Sequence, residues 1–370
     1  MKNPTHNNRL ASIDALRGFD MLFIMGLGGV LIALSKALPC GVTEFLAEQM
    51  THKAWDGFAF YDMIFPLFLF IAGLSFPFSL AKSRERGRTQ RAIHGHILRR
   101  AVILIGLGLI YNNLLKLDFE TMRYTSVLAR IGIAWAAAAL LFIHCSRRSR
   151  IVIATIILVG YALANACIVA PDAPAGASPL SVEGSIVGYI DRLFLPGQLR
   201  DGIFDPIGLL STLPAVVTAM LGMFTGEFVR TTTLNEGQKA TRITLSAIAF
   251  IALGLLWNCW TPINKPLWSS SYVCFVGGLS MALFALFYWI IDVRGCRAWT
   301  TVLQVVGLNS ITIYMLQRIV NIRHTAKFFF GGVADLLPEA WGGTVLALGY
   351  LVICWLILYL LYRKKIFVKI

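Results

Sequence analysis

In the stretch Met50–Phe76, "MTHKAWDGFAFYDMIFPLFLFIAGLSF", a His, a Trp and two Asp stand directly before a long apolar run. A charge placed in lipid costs about 2.5–3.5 kcal/mol on insertion scales, so titratable residues at the mouth of a membrane span are candidates for function. His52 precedes Asp56 by four residues and Asp62 by ten. On a helix, residues i and i+4 share a face, and this spacing predicts that Asp56 holds the imidazole in one tautomer. Trp55, Gly57 and Asp62, the last one turn before a kink predicted at Pro66, crowd the same place. A lone His at a helix mouth is commonly structural, but this crowding favours acid–base work with His52, Asp56 and Asp62 as its catalytic groups.

Three further clusters need partners. "SIDALRGFD" spaces Asp14, Arg17 and Asp20 three apart on one side of a helix. There they either pair with one another or leave Arg17 to face an anionic ligand. Arg130 interrupts "SVLARIGIAWAAAALLF" with no carboxylate near it in sequence; Asp62, Asp14 or an anionic ligand must compensate it in space. "GLNSITIYMLQR" sets Asn309, Ser310, Thr312, Tyr314 and Gln317 in an otherwise apolar run, which suits either helix–helix hydrogen bonding or a sugar or amide ligand.

The elements that position these residues are membrane helices. The 370 residues are 57% hydrophobic and only 14% charged, the composition of a polytopic membrane protein. Ten apolar runs are long enough to cross a bilayer: 18–37, 59–81, 98–116, 127–144, 151–170, 207–228, 243–260, 271–292, 300–320 and 344–362. The expected fold is an all-α helical bundle forming one transmembrane domain over residues 1–370. With the N-terminus inside, the inner segments hold 22 Lys and Arg and the outer segments nine. This asymmetry places both termini in the cytoplasm, and it assigns the net charge of +14 to membrane lipids or an anionic cytosolic ligand rather than to nucleic acid. The long connection 171–206 falls outside, as a lid or substrate wall or a surface loop with a short amphipathic helix near 189–195. Seven scattered cysteines without a CxxC signal neither a disulfide framework nor a metal site. P-loop, GxSxG, HExxH and GxGxxG patterns are absent, which argues against nucleotide hydrolysis, serine hydrolysis and zinc chemistry.

Eight segments in order, "SIDALRGFD" (12–20), "HKAWDGFAFYDMIFPLFLFIAG" (52–73), "VLARIGIAW" (127–135), "GYIDRLFL" (188–195), "DPIGLLSTLPAV" (205–216), "INKPLWSSSYV" (263–273), "GLNSITIY" (307–314) and "YRKKIF" (362–367), span nearly the whole chain. Together they resemble the membrane-bound heparan-α-glucosaminide N-acetyltransferase family and its bacterial relatives, some of which are labelled N-acetylglucosamine-related transporters. The resemblance implies acetyl transfer across the bilayer, from cytosolic acetyl-CoA as acyl donor to the amine of a terminal glucosamine on the far side. The family's essential His carries over to His52. Two departures are visible: lysosomal members have Asn where this chain has Asp56, and Gly26–Gly29 stand where they have a pocket Asn.

This chemistry needs a base near neutral pKa, because an amine attacks a thioester only when neutral. His52 is either that base or the first acceptor of the acetyl group. Arg17, Arg99, Arg100, Arg130 and Lys364 are candidates for the CoA phosphates. Trp55, Asn264, Trp268, Asn309 and Ser310 are candidates for the acceptor sugar, with Asn309 or Ser310 donating to the tetrahedral oxyanion. No metal is expected. The resemblance also implies a homodimer, and the bare ten spans without a targeting extension are expected in a bacterial cytoplasmic (inner) membrane. The alternative is a permease for N-acetylglucosamine or a related amino sugar, for which inverted repeats with broken helices are the expected signature. A structural scaffold is a third reading, and the cluster at His52 argues against it.

Overall fold

A computed structural model describes residues 10–368, and among these it contains helices, three isolated bridges and no strand. The protein is an all-α polytopic bundle. Nine helices among the described residues are long and apolar enough to cross a membrane. We label the helices α1 (Ala11–Ala37), α2 (Gly41–Gln49), α3 (Phe60–Glu85), α4 (Gln90–Tyr111), α5 (Val127–His144), α6 (Arg147–Cys167) and α7 (Ile186–Phe194). They continue as α8 (Thr212–Thr231), α9 (Glu236–Trp257), α10 (Ser270–Val293), α11 (Thr300–Leu308), α12 (Ser310–Ile319), α13 (Ile322–Asp335) and α14 (Glu339–Arg363).

Contacts between connections sort the bundle into two ends. At one, which we call the site end, Trp55 reaches Leu180, Asp56 bridges Asn264, Arg123 pairs with Asp205 and Arg318 donates to the Tyr111 carbonyl. At the other, the terminal end, Ser12 meets Asp292, His94 meets His144, Arg150 pairs with Glu227, and the backbone at Ile366 and Val368 is held by Asn309. Lys2, Arg9 and Lys369, counted above among the inner basic residues, lie outside the described residues.

Small residues set the helix contacts, since apolar lipid gives no hydrophobic drive and close backbone approach must replace it. A Cβ on Gly73 of α3 would strike the Ala219 carbonyl of α8, and one on Gly222 would strike the Phe70 carbonyl in return. A kink is predicted at Pro66, and the α-helix runs without a break through it. Pro66 falls in the first turn after the 3₁₀ turn Phe60–Met63, where its missing N–H leaves no bond unmade.

The expected span 300–320 is not one helix. Gly18 of α1 packs on the Leu303 carbonyl and Gly307 packs on the Asp14 carbonyl, so α11 runs antiparallel to α1, toward the terminal end. The chain turns at Asn309 (φ −124°, ψ 34°) and climbs back as α12, where Gln317 reaches the Met25 carbonyl. The polar residues of this run work between elements. Asn309 donates to the Ile366 carbonyl at 3.0 Å and accepts from the Val368 N–H at 3.1 Å, Gln317 donates to Tyr350, and Tyr314 stacks on Tyr111 at 4.8 Å.

Candidate active site

Residues 51–59 are not helical. Gly57, at φ +105°, gives the backbone a left-handed turn that a side chain would strain, and its N–H donates to the Ile263 carbonyl at 2.8 Å. His52 and Asp56 therefore do not share a helical face, and the predicted pairing fails. Asp56 instead accepts from the Asn264 amide at 3.1 Å. The residue beside His52 is Asp62, whose Oδ1 lies 2.7 Å from Nδ1.

Asp62 is held by its place at a helix start. Its Oδ2 accepts the free N–H of Ala59 at 3.0 Å, which caps the 3₁₀ turn and puts a carboxylate where the helix dipole favours it. The side chain of Asp62 is 0% exposed and that of His52 is 46% exposed. An anionic carboxylate only accepts, so the contact with Asp62 favours the imidazole hydrogen on Nδ1 and leaves the Nε2 lone pair on the half-exposed side of the ring, with the Lys265 Nζ 3.4 Å away. The Tyr61 ring lies tilted beside the imidazole, centroids 4.9 Å apart, and the Tyr272 hydroxyl donates to the Asp62 backbone carbonyl at 2.7 Å.

Lys265 completes the cluster. Its Nζ lies 3.2 Å from Asp62 Oδ1, 2.9 Å from His52 Nδ1 and 3.4 Å from Nε2. Burial pushes the Lys265 ammonium down to about 8, against the pull of the neighbouring Asp62 carboxylate. The loop that aims it is stiff: Asn258 Oδ1 accepts from Ile263 N–H, Asn264 Oδ1 accepts from Leu267 N–H, and Ser269 and Ser271 both donate to the Pro262 carbonyl. The sequence reading missed Lys265. The available signal is that it is the sole charged residue between Arg242 and Asp292.

The other predicted contacts divide between the ends. Trp55 and Asn264 belong to the site end, with the Trp55 indole donating to the Leu180 carbonyl at 2.8 Å and meeting Phe204 at 5.1 Å. The loop containing Leu180 and Phe204 thereby packs against Trp55. Trp268 is only 1% exposed and sits beneath the site, donating to Thr218 at 3.2 Å. Arg130 also lies here, apart from the other arginines. Its guanidinium stacks over Trp268 at 5.0 Å and donates to the Gly208 carbonyl and the Ser211 hydroxyl. Neither Asp62 nor Asp14 is its partner, and Asp205 and Asp191 are the acids within electrostatic reach.

Asn309 and Ser310 lie at the terminal end, and α1 alone, at 27 residues, measures about 40 Å between the ends. They are not beside His52, and the Asn309 amide is already satisfied by the tail. Arg17, Arg99, Arg100 and Lys364 belong to the helices' terminal-end portions. Arg17 is 3.7 Å from Asp14 and donates to Ser75 at 3.1 Å; Arg100 stacks on Trp135 at 4.2 Å with its Nε unpartnered; Arg99 and Lys364 are exposed. Among the described residues no group of three or more His, Cys, Asp and Glu is placed to hold a metal.

The arrangement at the site end is a half-exposed imidazole, oriented by a buried carboxylate and flanked by an ammonium. It is able to accept a proton or an acyl group at Nε2. No family model matches the chain. An alignment of 422 positions, 27% identical, relates 98% of the chain to 60% of the human (Homo sapiens) heparan-alpha-glucosaminide N-acetyltransferase. A second, of 423 positions and also 27% identical, relates 98% of it to 61% of the mouse (Mus musculus) protein of that name. The chain thus spans about 60% of the length of the curated relatives it matches, and its similarity to these N-acetyltransferases covers 98% of it.

Proposed function

We propose that the protein is a transmembrane acetyltransferase that moves the acetyl group of acetyl-CoA to the amine of a glucosamine-type sugar. The observation that carries this reading is the 2.7 Å contact of His52 Nδ1 with the fully buried Asp62, which orients Nε2 of the half-exposed ring as a base beside Lys265. An amino sugar arriving at the site end gives a proton to Nε2 and attacks the thioester carbonyl; alternatively Nε2 itself takes the acetyl group and passes it on. Lys265 holds charge beside Asp62 and stands where an oxyanion is stabilised. Trp55 and Asn264 line the acceptor side. The acyl donor enters from the terminal end, where Arg17, Arg99, Arg100 and Lys364 supply cations for its phosphates, and Arg130 braces the site from below. The site end faces outward and the terminal end the cytoplasm, as the distribution of basic residues supports.

The reading is tested on purified protein in detergent or liposomes, comparing wild type with His52→Ala for acetyl-CoA binding and for CoA release with and without glucosamine. Release that needs the amine in wild type, and retained binding without release in the variant, is the expected result. A wild type that neither binds acetyl-CoA nor consumes it with any amino sugar overturns the reading, and the same liposomes then serve to measure sugar uptake.

A further inference from the structure

The Lys265 amine touches both ring nitrogens of His52, a contact that holding charge beside Asp62 does not require. Nζ lies 2.9 Å from Nδ1 and 3.4 Å from Nε2. An atom this close to both nitrogens cannot lie in the ring plane, where it would strike the Cε1–H between them, so Nζ sits over the face of the imidazole. The loop fixes it there. The Lys265 carbonyl accepts the Trp268 N–H at 3.0 Å, and Trp268, at φ +54°, is clamped by its bond to Thr218 and its edge contact with Phe65 at 4.9 Å. Lys265 stands between α9 and α10, outside the membrane-spanning helices, with its side chain 19% exposed. Burial brings the ammonium down to about 8, with Asp62 opposing and Arg200 and Arg130 adding to the shift, so about a tenth of it is free amine at pH 7.

An acetyl group carried on an imidazole nitrogen is conjugated with the ring and shares its plane, so a nucleophile reaches the carbonyl carbon from the ring face. Nζ stands on that face 3.4 Å from Nε2, and its flexible four-carbon stem lets it advance by the length of one bond to a near-attack contact of about 3–3.5 Å with the acetyl carbon. We propose that Lys265 is a second acetyl acceptor: when no amino sugar is present it takes the acetyl group from His52 Nε2, and the enzyme is switched off by its own donor. The inference rests on the acetyl-transfer reading above, by the route through Nε2. The acetyl group first passes from sulfur to Nε2 as the C–S bond breaks and its electron pair leaves on sulfur. The Nζ–C bond then forms, the Nε2–C bond breaks, and that electron pair returns to the ring. The amine loses one proton and the thiolate gains one, so free amine and thioester yield amide and thiol with no further reactant. The product carries no charge, and Asp62 and the oxyanion position both lose their cation. At neutral pH the ammonium form predominates, so this side reaction is slow beside turnover when the sugar is supplied.

The first test is mass-spectrometric mapping of the purified full chain after incubation with acetyl-CoA alone and, in parallel, with p-nitrophenyl acetate, which acetylates imidazoles without needing a CoA site. Acetyl on Lys265 with both donors in wild type, and its loss in His52→Ala, is the expected result, with the exposed Lys116 giving the background. Lys265 left bare by the aryl ester, or labelled equally in His52→Ala, overturns the proposal. A chain that releases CoA with glucosamine yet leaves Lys265 bare with acetyl-CoA alone overturns the proposal and not the acetyl-transfer reading. A chain labelled by the aryl ester but inert to acetyl-CoA overturns that reading, and with it the switch, while the transfer from His52 to Lys265 stands. Should His52→Ala fail to fold, His52→Gln carries this arm.

The second test is kinetic. Preincubation of wild type with acetyl-CoA is expected to lower the later rate of glucosamine acetylation in step with the labelling of Lys265, the modified fraction turning over about 10²-fold more slowly. Glucosamine present from the start is expected to protect. Lys265→Arg keeps a cation but offers no amine to acetylate, and it is expected to start from its own lower rate and to hold that rate through the preincubation. A loss with time in Lys265→Arg equal to that of wild type overturns the proposal.

Discussion

Asp62→Asn separates the orienting role of this carboxylate from its bulk. The variant keeps the side-chain volume, and the Ala59 N–H, 3.0 Å from Oδ2, fixes which way the amide sits. The Asn oxygen must take the Oδ2 position to accept that bond, so the NH₂ group faces His52 Nδ1. A donor there drives the imidazole hydrogen to Nε2, and the nitrogen that faces the open side loses its lone pair. In hydrolases whose base is oriented by a carboxylate, this change of tautomer costs about 10⁴ in kcat, and a loss of about 10³–10⁴ is expected here. The same change strips Lys265 of its anion at 3.2 Å. Removing one partner of a buried pair costs about 3–5 kcal/mol; with Lys265 19% exposed and able to shed its proton, the lower figure is expected. The assay is amine-dependent CoA release followed with a thiol reagent, beside acetyl-CoA binding and thermal unfolding in the same detergent. Donor binding is expected to persist because the proposed phosphate ligands lie at the other end. A variant that retains more than about a tenth of wild-type turnover refutes the tautomer argument.

Other perturbations follow from the same geometry. Burial pushes Asp191, which lies on α7 in the connection between α6 and α8, up to about 7; the folded state then holds a proton that the unfolded chain has released, so stability falls as pH rises from about 4 to about 7, by up to about 4 kcal/mol. Asp191→Asn is expected to flatten this limb in pH-dependent thermal unfolding, because its Oδ1 still accepts from the Leu209 N–H; an unchanged pH profile excludes Asp191 as the titrating group. Arg123 grips the fully buried Asp205 with two bonds of 2.7 and 2.6 Å and holds its carboxyl below the usual range despite burial. Arg123→Met is expected to cost about 3–5 kcal/mol and to loosen the 195–211 segment to protease, whereas cleavage at the wild-type rate argues that the pair is dispensable. Gly73→Leu forces α3 off the Ala219 carbonyl and is expected to destabilise by at least about 1–3 kcal/mol, read as a lower unfolding temperature with the His52 chemistry intact in the surviving fraction.

The apolar runs of the fold were legible because lipid imposes a length on each crossing, and the nine long helices follow those runs closely. The run 300–320 failed for a physical reason: hydropathy counts apolar residues but is blind to direction. A helix toward one end followed by a helix back reads the same as a single crossing. At the site, the crowding of His52, Asp56 and Asp62 was legible, but the pairing was read onto Asp56 rather than Asp62. Counting i, i+4 presumes a helix, and Gly57 breaks that premise, so the buried acid is ten residues away rather than four. Lys265 approaches His52 across 213 residues of chain, and such a contact leaves no local period to find. Arg130 shows the limit in another way, since carbonyl, hydroxyl and indole groups replace the direct carboxylate partner that burial alone suggested.

The clasp between Asn309 and the segment at 366–368 bears on biosynthesis. The Asn309 amide finds its partners 57 and 59 residues downstream, so when α11 and α12 leave the ribosome this group has nothing yet to bind. At about 5–20 residues per second the wait is about 3–11 s, during which the turn between two short helices must be sheltered by water, lipid headgroups or the insertion machinery. The hairpin of α11 and α12 is therefore set late. Its final seating waits for α14 to enter the membrane and bring the 366–368 backbone alongside, so a defect in that last helix propagates backwards to a segment already made.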